Sequence, residues 1–111
     1  MKGWLVMLQF EQVTVVKKAN IYFGGRVSSR TIIFPNGEKK TLGVMLAGAY
    51  TFSTSEEELM EVISGEMTVL LPESSEWQTF GEGSNFTVDA NSSFKLTIGQ
   101  TTDYCCSYLK R

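Results

Sequence analysis

This 111-residue chain contains no histidine, so few of its side chains can carry chemistry. A Ser-His-Asp triad, a Cys-His dyad and a histidine-based metal site all need an imidazole and are excluded. There is also no Gly-rich loop opening a helix, no CxxC and no dinucleotide fingerprint. Carboxylates, hydroxyls, tyrosines, arginine, lysine and backbone amides remain. They concentrate in the tract GVMLAGAYTFSTSEEELMEVISGEMTVLLP, residues 43–72, where Thr51 and Ser53 are followed by Glu58 and then Gly65. Glu58 closes a run of three glutamates, and such runs are ordinarily solvated. Arg26 follows a glycine pair and begins a strand-like run, a position that suits an anion contact. Arg30 and Lys95 are weaker alternatives. Tyr22, Phe23 and Trp77 can stack a flat ligand or fill a core, and Tyr104 and Tyr108, four apart in a strand-like run, face the same choice.

Positioning these groups falls to β-strands. Within the tract, 44–46, 49–53, 59–63 and 67–71 read as four short strands, with Ser64-Gly65 as a two-residue turn. Residues 56–60 also permit a single helical turn. Earlier, 13–16 and 26–34 have strand character, and Asn36-Gly37 after Pro35 is a strong hairpin signal. Later come 77–80, a run with Phe86 and Val88 on one side, then Phe94, Leu96 and Ile98 alternating with Lys95 and Thr97, and a last strand at 103–109. About ten short, regularly spaced strands without a long amphipathic helix predict an all-β sandwich or small barrel.

Bulk composition narrows the function classes. With 42% hydrophobic residues the chain can form a core as one domain spanning residues 1–111, with residues 1–10 as a loose extension and Met7 as a possible alternative start. A net charge of −2, with scattered basic residues, speaks against a nucleic-acid binder. The apolar run near Met1 is too short for a membrane span and lacks a signal-peptide cleavage site. Cys105 and Cys106 are adjacent, which disfavours a disulfide between them and predicts two reduced thiols on opposite strand faces, in keeping with a cytoplasmic protein.

Two resemblances add to this reading. The spacing Thr51-x-Ser53, then Glu58, then Gly65 resembles the first motif of the cupin superfamily, and residues 83–94 resemble the second. The positions of the usual metal-binding histidines are taken by Thr51, Ser53 and Phe94, leaving Glu58 alone. The resemblance therefore implies a small RmlC-like antiparallel barrel or jelly roll with no metal and no cofactor. At family level, Asn20-x-Tyr22-Phe23-x-Gly25-x-Val27, GVMLAGAYTFST, VISGEMTVLLP, Trp77-Gln78 and FTVDANSSFKL together resemble the small cupin-type pyrimidine/purine nucleoside phosphorylases. That similarity runs from Asn20 to Leu109. Asp89 departs from the pattern, where a proline is expected before Ala-Asn-Ser-Ser-Phe.

The family resemblance implies phosphorolysis of purine and pyrimidine nucleosides to free base and ribose 1-phosphate, with inorganic phosphate as co-substrate. Read from the residues, the site expected for that chemistry has Glu58, Thr51 and Ser53 as catalytic residues, Arg26 on phosphate, and Tyr22, Phe23 or Phe94 near the nucleoside. In that register Thr51 and Ser53 face the barrel interior, while Tyr50 and Phe52 face out and call for cover, which suggests a homodimer. The opposite phase, with Tyr50 and Phe52 in the core, remains open on strand pattern alone. Two other readings also stand: a noncatalytic barrel holding a nucleoside-like or sugar-phosphate-like ligand, and an interaction module whose barrel is filled by Phe94, Leu96 and Ile98.

Overall fold

β-Branched and aromatic residues recur at every second position, and the chain uses them to build strands with one buried face. The computed structural model describes residues 8–110. Its strands are β1 (Thr14–Val15), β2 (Asn20–Tyr22), β3 (Val27–Ile33), β4 (Lys39–Met45), β5 (Gly48–Ser53), β6 (Glu57–Ser64), β7 (Glu66–Leu70), β8 (Gln78–Gly81), β9 (Asn85–Val88), β10 (Ser93–Ile98) and β11 (Thr102–Leu109). A 3-10 turn, Phe23–Gly25, links β2 to β3. The expected loose extension lies mostly outside the described residues. Of its described part, Phe10 packs edge-on against Phe34 at 5.0 Å, with the Lys40 ammonium over both rings.

Two antiparallel sheets face each other. The larger runs β1-β3-β4-β11-β6-β9 with β2 also on β3, and the smaller runs β5-β10-β7-β8. The Asn36-Gly37 hairpin forms as expected: Gly37 adopts φ 91°, and Phe34 and Glu38 close the turn through a 2.9 Å backbone bond. The turn expected at Ser64-Gly65 is different in kind. β6 pairs with β11 and β9, whereas β7 pairs with β10 and β8, so Gly65 carries the chain from one sheet to the other. The helical turn allowed at 56–60 does not form. Met60 and Val62 must both enter the core, and only a period of two achieves that.

Strand phase in β5 is settled by its partner β10. Phe94 stands opposite Phe52 and Leu96 opposite Tyr50, while Lys95 stands opposite Thr51. Tyr50, Phe94 and Leu96 are buried, Phe52 is half-buried and packs on the core, and Thr51 is exposed. This corrects the expected register: Tyr50 and Phe52 point inward and Thr51 outward. The physical reason is the aromatic cluster itself, in which Phe52 stacks on Phe94 at 5.9 Å and Phe94 meets Phe86 at 6.5 Å. Each such ring contributes roughly 1.5–3 kcal/mol on burial, far more than two hydroxyls lose by staying in water. With these aromatics inside, they no longer argue for a dimer.

β11 is flanked on both sides, by β4 and β6. Its inner face carries Tyr104, Cys106 and Tyr108 at alternate positions. Cys105 lies on the opposite face between Leu42 and Glu61, and both cysteines are free and buried.

Candidate active site

Between the sheets lies an inner cavity of about 140 Å³, next to a wider groove of about 770 Å³. Tyr22, Thr41 and Tyr108 belong to the walls of both and mark the boundary between the two lobes. The inner walls combine apolar Met45, Phe52, Met60 and Phe94 with polar Ser29, Glu58, Tyr104 and Cys106, and Ser53 sits at the rim.

Register explains the assembly. On the inner face of the large sheet, Glu58 stands opposite Tyr108, Cys106 opposite both Met60 and Thr41, and Tyr104 opposite Gly43. Gly43 in turn faces Ser29, which faces Asn20. The absent side chain at Gly43 matters, because a Cβ there would stand 2.7 Å from the Tyr104 hydroxyl and 2.8 Å from Ser29 Cβ. The phenol of Tyr104 occupies that gap beside the Ser29 hydroxyl. Asn20 Nδ2 donates to Ser29 Oγ at 3.1 Å and to Thr31 Oγ1 at 3.3 Å, fixing the wall on that side.

Among the described residues, Glu58 is the only charged one lining the inner cavity. The Cys106 thiol donates to its Oε1 at 3.5 Å. Burial raises the Glu58 carboxyl above the ordinary carboxylate range, the Cys106 bond partly offsets this, and the charge of Glu56 adds to the rise. Burial likewise pushes the Cys106, Tyr104 and Tyr108 groups well up, so all three stay protonated near neutrality and act as hydrogen-bond donors. Tyr108 meets both Thr41 and Cys106, which links Glu58 through Cys106 and Tyr108 to the outer groove. Cys105, outside the site, is pushed up to about 11 by burial.

The donor set does not fit a cupin-type metal. Where that superfamily converges several ligands, this interior offers one carboxylate, a protonated thiol and the ring of Phe94. Among the described residues no three His, Cys, Asp or Glu side chains come together.

The residues singled out from sequence separate into two groups. Glu58, Ser53, Tyr22 and Phe94 meet at the inner cavity. Thr51, Phe23 and Arg26 lie outside both lobes. Phe23 packs behind the wall, on Tyr50 at 5.0 Å and Phe52 at 5.4 Å. Arg26 lies over the Tyr50 ring, 5.6 Å from its centroid, and donates to the Ala47 carbonyl at 3.0 Å, just before β5. Sequence reasoning missed Cys106, Thr41, Ser29 and Asn20. Cys106 had a signal, since it lies midway between Tyr104 and Tyr108 in a strand and must share their face.

The fold and this histidine-free cavity define a small cupin. A solved RmlC-like cupin from Shewanella frigidimarina superposes with a TM-score of 0.65 at 13% identity, covering 88% of this chain and 84% of that one, which supports the fold alone. A protein of unknown function (DUF1255) from Acinetobacter sp. ADP1 superposes with a TM-score of 0.89 at 46% identity, covering 91% and 98%. The family model for pyrimidine/purine nucleoside phosphorylase matches residues 17–108. The pyrimidine/purine nucleoside phosphorylase of Clostridioides difficile (strain 630) is 59% identical over 103 residues, 93% of this chain and 98% of that one. The protein of that name from Syntrophotalea carbinolica is 56% identical over 104 residues, 94% and 100%. The chain belongs to the pyrimidine/purine nucleoside phosphorylase family.

Proposed function

We infer that this chain cleaves purine and pyrimidine nucleosides with inorganic phosphate, giving free base and ribose 1-phosphate without a metal. Besides family membership, one observation carries the reading: a single half-buried carboxylate, Glu58, in a small cavity ringed by hydroxyl and aromatic groups. The cavity alone is smaller than an ordinary ligand pocket, so we place the substrate across a passage between the two lobes at Tyr22, Thr41 and Tyr108. The sugar enters the inner lobe and the base lies at Tyr22. As the C1′–N bond breaks, its electron pair leaves with the base, and ionised Glu58 stabilises the positive charge developing on the sugar ring. A phosphate oxygen then bonds to C1′, and the proton lost by hydrogen phosphate balances the one taken up by the base. Stacking accepts any base that presents a flat face, which accounts for breadth across purines and pyrimidines. The protonated Tyr104 and Tyr108 hydroxyls supply neutral donors to sugar or phosphate oxygens.

The test is release of free base from a panel of nucleosides, with a chelator present and phosphate varied. Phosphate-dependent, chelator-resistant release is expected. Release without phosphate means hydrolysis, and no release from any nucleoside leaves a binding cavity without turnover.

We retain two companion proposals. The two free thiols fit a reducing compartment such as the cytoplasm; no helix among the described residues is long and apolar enough to cross a membrane. The second is a homodimer formed through the outer face of the large sheet, a reading supported by the exposed Ile21 and Leu42. Light scattering of wild type and Leu42→Lys checks it, with monomeric wild type ruling it out.

A further inference from the structure

The geometry points to a phosphate subsite in the outer groove, formed by Lys39 and Thr41 of β4 together with Tyr108 of β11 and Lys110 just beyond it. The assignment rests on the phosphorolysis reading and says where its second substrate binds.

Among the described residues the inner cavity is lined by one carboxylate and no cation, so a dianion entering it would be desolvated beside a like charge. Phosphate is therefore gripped in the groove on the other side of Tyr22, Thr41 and Tyr108, where the cations among the described lining residues are Lys39 and Lys110. Arg26 lines neither lobe.

Strand register then brings four donors into one patch. β4 and β11 are neighbours, with Thr41 opposite Cys106 and Lys40 opposite Ser107. One step further along the same antiparallel ladder, Lys39 comes beside Tyr108. Side chains two apart share a face, so Lys39 and Thr41 occupy the inner face of β4, and Tyr108 and Lys110 continue the inner face of β11. Two ammonium groups and two hydroxyls thus border the groove where it meets the passage to the sugar. Lysine serves as a point charge for phosphate, and the hydroxyls add directed donors.

The groove's other charged residues are Glu38, whose carboxylate accepts from Asn36 Nδ2 at 3.4 Å, and Glu56. With two carboxylates near two lysines there is no strong net positive field. Recognition works by contact, and the affinity for phosphate is correspondingly weak.

The test varies phosphate at saturating nucleoside for wild type, the Lys39→Ala/Lys110→Ala double variant and the matching double arginine variant. The alanine pair is expected to raise the phosphate KM at least about tenfold while leaving the nucleoside KM within about twofold; the arginine pair keeps the phosphate KM near wild type. An unchanged phosphate KM in a folded alanine pair, judged by circular dichroism, overturns the assignment. A second measurement separates this from failure of the reaction itself: 31P line broadening of inorganic phosphate by the full chain. Broadening by wild type that disappears in the alanine pair upholds the subsite even where no nucleoside is cleaved. Equal broadening by both proteins, or none by wild type, overturns it even where phosphorolysis stands.

Discussion

Cys106 Sγ lies 3.5 Å from Glu58 Oε1, across the β11–β6 ladder and inside the same cavity. The thiol, itself kept protonated by burial, is the partner that restrains the rise of the Glu58 pKa. In the proposed reaction turnover needs the ionised carboxylate, so the acid limb of the kcat/KM profile is expected above the ordinary glutamate range. Removing the thiol with Cys106→Ala moves that limb to higher pH, whereas Cys106→Ser holds it. A limb that stays put in Cys106→Ala would separate Cys106 from the ionisation of Glu58.

The same carboxyl links pH to stability. Its folded pKa is raised, so the protonated form is the one the fold favours. Its contribution is complete below the unfolded value and is lost as pH rises through the folded value. Thermal midpoints of wild type and Glu58→Gln should therefore diverge across that rise, with Glu58→Gln gaining relative stability on the alkaline side. Parallel curves across the weakly acidic range would contradict this. Turnover by Glu58→Gln should fall by about 10²-fold or more, and full turnover would remove the carboxylate from the mechanism.

Phase along β5 gives a paired contrast. Thr51 is exposed on the outer face, so Thr51→Ala should shift stability by no more than about 0.5 kcal/mol and leave turnover within about twofold. Phe94→Ala, at the buried partner position of Phe52, should destabilise by about 3–5 kcal/mol. Urea denaturation of both variants decides the matter, and a large loss in Thr51→Ala would reverse the assigned phase.

Tyr22 is 45% exposed at the passage, with its ring edge-on to Phe52 at 6.1 Å, so one face is free to meet a base. Tyr22→Ala should raise the nucleoside KM by the loss of about 1–3 kcal/mol of stacking, for purines and pyrimidines alike. Tyr22→Phe should retain most of the affinity. Equal KM values for Tyr22→Ala and wild type would place the base elsewhere.

Gly43 tests the wall beneath Tyr104. A methyl group there collides with the Ser28 carbonyl and crowds the Tyr104 hydroxyl and Ser29. Gly43→Ala should cost about 1–3 kcal/mol of stability through overpacking. It should also depress turnover of the remaining folded protein, which a thermal melt and a rate measured well below the midpoint can separate.

Much of the fold was legible in the sequence because it depends on local period and turn chemistry. Phe86 with Val88, and Phe94 with Leu96 and Ile98, alternate cleanly, and Asn36-Gly37 admits little besides a hairpin. Which sheet a strand joins was not legible. Ser64-Gly65 reads alike as a hairpin or a crossing, since either needs only a glycine able to take φ 88°. The motif spacing placed Glu58 in the cavity, but it set Thr51 on the wrong face because counting residues across the 54–56 connection does not determine strand phase. Arg26 was singled out for its Gly-Gly neighbour, whereas its contacts with Tyr50 and Ala47, 24 and 21 residues away, could not be inferred locally. Lys39 and Lys110 become neighbours of one groove only through the β4–β11 ladder, 71 residues apart in the chain.

That ladder has a consequence for how the protein is made. β11 comes after all the other described strands in the chain, yet it fills the gap between β4 and β6. Until Thr102–Leu109 clears the ribosome, the large sheet exists as two unjoined halves, each with an open edge, and the cavity lacks Tyr104, Cys106 and Tyr108. Closure is therefore a late event made of long-range pairings, which are slow to form. During that interval the exposed edges of β4 and β6 are the nascent chain's main risk of pairing with a neighbour.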